Sequence, residues 1–356
     1  MATKSLRIAL IYNSHAPGDP VVPADRASFD DLMAMLKDIL RTLRRLGHRP
    51  TLVPLGHDLL NFQRRLSRLN PDVVFNQYED TQPGATFEMR TAALVRMLGY
   101  PLTGSPALAL GLTKSKYACA CLLAGAGILI PSDTRLIETI GAVDHYRCDF
   151  PVIVRPSSED GGVGVDRLSV VHTRTALRAK VRELLKRDRH AALVQRFLPG
   201  REFNVAVLGG ARPVVLPLAE VDYSQLPDHI PPIMSYAAKW VESSLEYKAT
   251  SVTCPAIVDP ELEKRIKGVA LQVFGAVGAW GYARVDMRLA ARDQLYVLEV
   301  NCNPCLERGI GLARCAAASG IEYDQLIQRI LRSALELQRH DSADLGGGRP
   351  IPARPQ

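Results

Sequence analysis

No run in the 356-residue chain approaches the roughly 20 apolar residues of a membrane span, so no membrane segment is expected. The opening stretch, MATKSLRIALIYNS, has only a short apolar run before a strand pattern begins. No signal peptide is expected from it, and the cytoplasm is the expected compartment. Cysteine is too sparse and scattered for a disulfide framework: seven residues, an odd number, at 119, 121, 148, 254, 302, 305 and 315. Cys302 and Cys305 form one C-x-x-C spacing, but no second Cys pair and no His pair at ligand spacing accompanies them. That leaves a zinc or redox centre without support. The turn after the first strand, NSHAPGDPVVPAD, contains no G-x-G-x-x-G, and GLTKS (111–115) cannot be placed in a G-x-x-x-x-G-K-[ST], so both common phosphate-loop fingerprints are missing. The charge is not one-sided either. The net value is +7, but bases and acids are mixed along most helices. The densest basic runs, 41–49 and 64–68, read as solvated helix faces or as phosphate-attracting patches. Without aromatic and basic residues interleaved, and without a recognition motif, a nucleic-acid partner is not expected.

What the chain does hold is alternation. RIALIYN (7–13), PTLVPL (50–55) and PDVVFNQ (71–77) read as strands, with amphipathic helices between them. Asp25 or Ser28 could cap the first helix, and Gly47 ends it. This pattern predicts an open parallel α/β sheet over residues 1–106. Residues 107–127 read as mostly helix. From about 128 the texture changes to short strands around a Gly-rich turn, SSEDGGVGV (157–165), and one helix, which predicts a small antiparallel α+β unit ending near 198. A third unit, 199–340, opens with a hairpin turning at Gly209-Gly210 and closes with a long helix. The segment 222–258 is a long irregular loop, a kind usually functional or mobile. The tail, 341–356, reads as disordered.

One hairpin gathers chemistry. Side chains alternate along a strand, so Arg284, Asp286 and Arg288 share one face of YARVDMRL, and Glu299 and Asn301 share one face of YVLEVN. If Leu289 pairs with Gln294, Arg284 lies opposite Glu299 and Asp286 lies diagonal to it. Two carboxylates and an amide oxygen suit Mg²⁺ or Mn²⁺ rather than zinc. The alternative is a salt-bridged hairpin, Arg284 with Glu299, on a wet sheet face. Cys302 falls on the opposite face and is expected to be packed.

Nine ordered segments carry a resemblance: PDVVFN, MLGYPLTGS, LTKSKYACACLLAGAGILIPS, FPVIVRPSSEDGGVGV, ALVQRFLPGREFNVAVLGG, LPLAEV, SYAAKW, GYARVDMR and LEVNCNP. Together they resemble the ATP-grasp superfamily, and within it the D-alanine–D-alanine ligases, from about residue 71 to 335. The resemblance implies an ATP-grasp fold behind an N-terminal α/β domain. It implies ATP and two Mg²⁺ ions, a small carboxylate and an amine as substrates, an acyl-phosphate intermediate, and a homodimer. By the same resemblance, Lys114 and Arg155 reach the nucleotide phosphates, and the turn with Gly161 and Gly162 folds over them. Gln195, Arg196, Phe197 and Leu198 face adenine, and Glu202 holds the ribose. Asp286, Glu299 and Asn301 hold the ions, Lys239 closes on the γ-phosphate, and Arg284 holds the developing oxyanion.

The resemblance has gaps. The family's Gly-Gly-x-Ser-x-Glu-His-Glu-like turn after the first strand is absent. Gly161 and Gly162 occupy the turn that usually supplies a serine, and Trp240 stands where the family has tyrosine. Cys305 replaces the glycine after N-x-x-P, beside the second substrate. The nucleotide half is therefore similar and the amino-acid half rewritten, which implies a different substrate pair. Asp19, Asp25 or Glu79 could bind an ammonium group or sit in solvent as loop carboxylates. Trp240 could stack on a larger substrate or anchor its loop. A D-alanine–D-alanine ligase with an atypical first site and a non-catalytic ATP-binding protein are the rival readings.

Overall fold

Both faces of the first sheet are buried, which is why its strands read as nearly unbroken apolar runs. In the computed structural model, which describes residues 4–13, 23–56, 58–79, 86–159, 161–187 and 191–344, β1 (Arg7–Asn13) lies between β2 (Arg49–Leu55) and β3 (Val73–Gln77). All three strands are parallel. Ala9 and Ile11 enter one core and Ile8 and Leu10 the other. The crossovers are α1 (Pro23–Arg45) and α2 (Leu59–Leu69), and α3 (Phe87–Met97) follows β3. The Asp58 carboxylate caps α2 by accepting from the Asn61 N–H, and Asn70 closes it in the left-handed region. Gly47 takes the expected positive φ just past α1. Asp19 lies outside the described residues, as do the side chains of the proposed caps Asp25 and Ser28.

The stretch expected as mostly helix is helical, in two pieces, α4 (Ala107–Lys114) and α5 (Lys116–Gly125), bent by 104°. Ser115 makes the break: its backbone is extended, and its hydroxyl accepts from the Ala118 N–H at the start of α5. Ala109, Leu110, Cys119 and Leu123 of this pair pack in one core with Ala9 and Val74 of the first sheet and Phe203 and Val285 of the last. The pair thus belongs to that shared core. The central unit proper begins only near β4 (Arg135–Ile137), followed by α6 (Ala142–His145), β5 (Val152–Pro156), β6 (Val170–Val171), α7 (Arg174–Arg187) and β7 (Ala192–Arg196). Its four strands run antiparallel in the order β4-β7-β5-β6. Its core is separate, built on Val152, Val154, Leu177, Val181 and Val194. Ahead of β6, Arg167–Ser169 form a 3₁₀ turn, fixed by an Asp166–Ser169 capping box.

The last sheet holds β8 (Arg201–Gly209), β9 (Val214–Val215), β10 (Ala219–Asp222), β11 (Ser251–Thr253), β12 (Gly281–Ala290) and β13 (Gln294–Asn301). The order is β11-β10-β8-β12-β13, with β9 against β8. Between β10 and β11, the segment expected as an irregular loop holds two short helices, α8 (Tyr236–Trp240) and α9 (Leu245–Lys248). One sheet face is apolar throughout: Phe203, Val205, Val207, Ala283, Val285 and Met287 pack with α10 (Pro260–Ala276). The other face changes character along its length. Ala206, Leu208 and Tyr282 are packed under α11 (Gly311–Ala318) and α12 (Tyr323–Asp344). Beyond them the same face carries Glu202, Asn204, Arg284, Asp286 and Arg288, which line a cavity. The last helix covers 341–344, the start of the expected tail; 345–356 lie outside the described residues. No single helix among the described residues is long and apolar enough to cross a membrane.

α3 and α4 meet around a buried ion pair. Lys114 Nζ lies 3.3 Å from Glu88 Oε1, with side-chain exposures of 7% and 8%. Removing one member of a buried ion pair costs about 3–5 kcal/mol. Glu88→Gln is therefore expected to lower the urea midpoint of unfolding strongly, and Glu88→Asp only partly.

Candidate active site

The hairpin β12–β13 contains a bulge that sets the geometry. Leu289 pairs with Leu295 and Met287 with Val297, but Asp286 pairs with Glu299, so Leu298 has no opposite residue. The register expected from the sequence, with Arg284 opposite Glu299, is off by two residues: one because Leu289 pairs with Leu295 and not Gln294, and one because of the bulge. Arg284 faces Asn301 instead, and Asp286 and Glu299 are directly opposite, a spacing of about 5 Å between Cβ atoms. On the other side of β12, β8 sets Asn204 against Asp286 and Glu202 against Arg288.

Two carboxylates this close repel unless cations intervene, and each of the three acids on this face has its own. Arg284 donates from Nε and Nη2 to Asp286 at 2.7 and 2.9 Å, and Asn204 Nδ2 adds a third bond at 2.9 Å. Glu299 is held by Lys116 at 3.0 Å and Arg155 at 3.3 Å. Glu202 is buried against Arg288 and accepts from the Tyr223 hydroxyl at 2.9 Å. Burial, with Glu202 alongside, pushes the Tyr223 phenol well above its ordinary range, so it stays a donor. Lys239 enters the same field from α8. Burial and then the Arg284 guanidinium lower its pKa, while Glu299, Asp286 and Glu202 oppose that shift.

The cavity over this face measures about 1030 Å³. Its roof joins two units. The Trp240 indole N–H donates to the Gly161 carbonyl at 2.8 Å, and the Tyr236 N–H donates to the Val165 carbonyl at 3.0 Å. Gly162 sits at φ +80, and a Cβ there would lie 3.0 Å from the Tyr236 nitrogen, so the turn must be bare to pass beneath α8. The far wall carries Phe29, Met35, Glu79, Cys305, Ile310 and Arg314. Cys305 Sγ lies 3.6 Å from Met35 Sδ on this wall. Cys302 is in the core, as its strand face requires.

Most of the residues singled out in the sequence converge here: Arg155, Gly161, Gly162, Glu202, Lys239, Trp240, Arg284, Asp286, Glu299, Asn301 and Cys305 all line the cavity. Lys114 does not. It is turned into the core against Glu88, and Lys116, two residues on and past the Ser115 break, is the lysine in the cavity. Neither the spacing nor the charge of KSK distinguishes the two; only the helix break does. Gln195, Arg196, Phe197 and Leu198 are also absent from the lining. Gln195 is spanned by Arg155 at 2.9 Å and Thr134 at 3.0 Å. The Arg196 and Phe197 N–H groups already donate to the Ser132 and Pro151 carbonyls, so those two amides are engaged within the protein. Sequence reasoning missed Lys116, Arg288, Asn204 and Tyr223. The signal for Arg288 was present, since it shares a strand face with Asp286.

Asp286, Glu299 and Asn301 fit a hard divalent cation, since all three offer oxygen and none offers sulfur or imidazole. Asn301 Oδ1 accepts from the Asn303 N–H at 2.8 Å, which aims the amide and leaves its second lone pair. Among the described residues no group of three His, Cys, Asp or Glu side chains gathers at ligand spacing. An ion here would therefore complete its shell with phosphate or water oxygens, the habit of Mg²⁺.

Two antiparallel sheets closing on a charged cavity, with a glycine turn as roof, place the chain in the ATP-grasp class. The solved D-alanine–D-alanine ligase of Bacillus anthracis complexed with ATP shares this fold, with a TM-score of 0.69 at 19% identity, covering 95% of this chain and 100% of that one. A family model described as D-ala D-ala ligase C-terminus matches residues 133–332. A D-alanine–D-alanine ligase of Desulforudis audaxviator is 30% identical over 249 residues, 68% of this chain and 76% of its own. An uncharacterized protein, y4sG, of Sinorhizobium fredii is 31% identical over 341 residues, 92% of this chain and 96% of that one. The chain belongs to the D-alanine–D-alanine ligase family.

The two lysines separate cleanly by experiment. Lys116→Met is expected to weaken ATP binding by roughly 10–100-fold, the worth of a charged hydrogen bond. Lys114→Met should leave that affinity near wild type while lowering stability. Calorimetric titration with ATP and urea unfolding of both variants measure the two effects.

Proposed function

We propose that the chain is an ATP- and Mg²⁺-dependent ligase that joins a carboxylate to an amine through an acyl phosphate, with a substrate pair other than two D-alanines. The observation that carries this reading is the paired charge on one sheet face: Glu202, Asp286 and Glu299, each held by Lys or Arg, beneath a glycine turn. A carboxylate is a weak electrophile, and bringing it beside a triphosphate sets anion against anion. Lys116, Lys239 and Arg284 lower that repulsion from fixed positions, so the two anions can be aligned for in-line transfer. Mg²⁺ held by Asp286, Glu299 and Asn301 would supply further neutralisation of phosphate charge. Arg284, oriented by its two bonds to Asp286, is placed to stabilise the oxyanion that forms when the amine attacks. Preorganised donors of this kind are worth roughly 3–4 kcal/mol. The Trp240–Gly161 roof keeps water from the acyl phosphate.

The different substrate pair is supported by the far wall. Gly161 and Gly162 stand where a serine would be supplied, Trp240 is engaged with the turn's backbone, and Cys305 and Ile310 line the cavity. The first test is a screen of amino acids and small carboxylates in pairs, read by ADP release and by mass of the product. Absence of ADP with every pair, while ATP still binds, would establish the non-catalytic reading.

Asp286→Asn and Glu299→Gln are each expected to abolish Mg²⁺-dependent turnover with the circular dichroism spectrum unchanged. Full activity in either would rule out the metal assignment. Trp240→Phe keeps the ring and removes the N–H. It is expected to raise ADP release without an amine acceptor by roughly five-fold, as the loss of a neutral hydrogen bond worth about 1 kcal/mol requires. Equal acceptor-free hydrolysis in both proteins would show that the roof does not depend on that bond.

A further inference from the structure

We propose that Arg155 is a positioning residue for Glu299, acting through the β-bulge, and not a phosphate-binding cation. The role rests on the ligase reading above, and it follows from where the guanidinium's donors go. Arg155 projects from β5 of the roof sheet across to β13. Its Nη2 donates to the Leu298 carbonyl at 2.8 Å and to Gln195 Oε1 at 2.9 Å, and its Nη1 donates to Glu299 Oε2 at 3.3 Å. Its Nε is buried without a partner. Of the five donors of a guanidinium, three are engaged within the protein and a fourth is shut away. The side-by-side pair that grips a phosphate is not on offer.

The acceptors explain why an arginine stands here. Leu298 is the bulge residue, with no partner on β12, so its carbonyl is left over by the ladder. Arg155 takes that carbonyl and the carboxylate of the next residue, Glu299, with the two arms of one planar group. A lysine, with a single nitrogen, cannot span them in the same fixed geometry. Gln195 completes the device. Thr134 Oγ1 accepts from its Nε2 at 3.0 Å, which points Oε1 at Arg155. An acid at 195 would compete with Glu299 for the guanidinium; the neutral amide orients it without competing. The roof sheet and the metal-holding strand are thereby joined at one residue.

The test separates positioning from phosphate binding. Wild type, Arg155→Lys and Gln195→Met are titrated with Mn²⁺ in the presence of ADP, with free ion read by electron paramagnetic resonance, and with ADP alone by calorimetry. Arg155→Lys keeps the charge. A phosphate-binding role predicts that it preserves both affinities. The positioning role predicts that affinity for ADP alone stays within about two-fold while Mn²⁺ binding weakens by roughly 10–100-fold, as for other partners of metal ligands. Gln195→Met changes no charge and should weaken Mn²⁺ binding in the same direction, which carries the test if Arg155→Lys does not fold. Unchanged Mn²⁺ affinity in the folded variants overturns the proposal, as does loss of affinity for ADP alone in Arg155→Lys. Wild-type protein that binds ADP neither alone nor with Mn²⁺ would instead overturn the ligase reading on which it rests.

Discussion

Like charges on neighbouring strands are the constraint around which this molecule is built. Asp286 and Glu299 are set directly opposite one another, and Glu202 lies diagonally across β8 from Asp286. A sheet that presents three carboxylates so closely would protonate them or splay apart unless cations arrived from elsewhere. They come from separate parts of the chain: Arg284 and Arg288 from the same sheet, Lys116 from the start of α5, Arg155 from the roof sheet and Lys239 from α8. Assembling the site and assembling the domains are therefore the same event. The ion pairs that neutralise the acids also bind the roof to the floor.

The apolar architecture makes that arrangement possible. One face of the last sheet is dry from end to end, and it shares its core with α4, α5 and the first sheet. The other face can then afford no apolar cover at its charged end, because the same strands supply Ala206, Leu208 and Tyr282 to a second core at the other end. Polar and apolar halves of one face meet near Arg284. The break at Ser115 belongs to the same logic: it turns α5 so that Lys114 enters the core and Lys116 leaves it.

Much of this was legible in the sequence. The parallel sheet follows from apolar runs at regular spacing, and the acids of β12 and β13 follow from two-residue alternation. Asp286, Glu299 and Asn301 do share a patch with Arg284, as alternation requires. What was not legible depends on irregularity. The hairpin turn shifts the pairing of Leu289 by one residue and the bulge adds another without any signature beyond an unremarkable leucine, so the pairing of Arg284 was misplaced by two. A mid-helix bend at a serine looks like continuous helix, so the sequence pointed to Lys114, whereas Lys116 is the lysine that lines the cavity. That the Arg196 and Phe197 amides are already bonded is likewise invisible in the sequence, which says nothing about which N–H groups are engaged. Lys239 and Trp240 were legible only through resemblance, since no periodicity marks a loop helix of five residues.

The bulge at Leu298 has a further consequence for how β13 can change over time. Before it, Leu295 and Val297 face the core; after it, Val300 and Cys302 do. Odd numbers point inward on one side of the bulge and even numbers on the other. Loss of Leu298 would restore a uniform strand and keep both faces, whereas straightening the bulge with every residue retained would send Glu299 and Asn301 into the core and Val300 and Cys302 into the cavity. A one-residue deletion at the bulge is thus neutral in parity, while the same deletion in either regular segment of the strand is not: the bulge is the one place where this strand can change length and keep its faces.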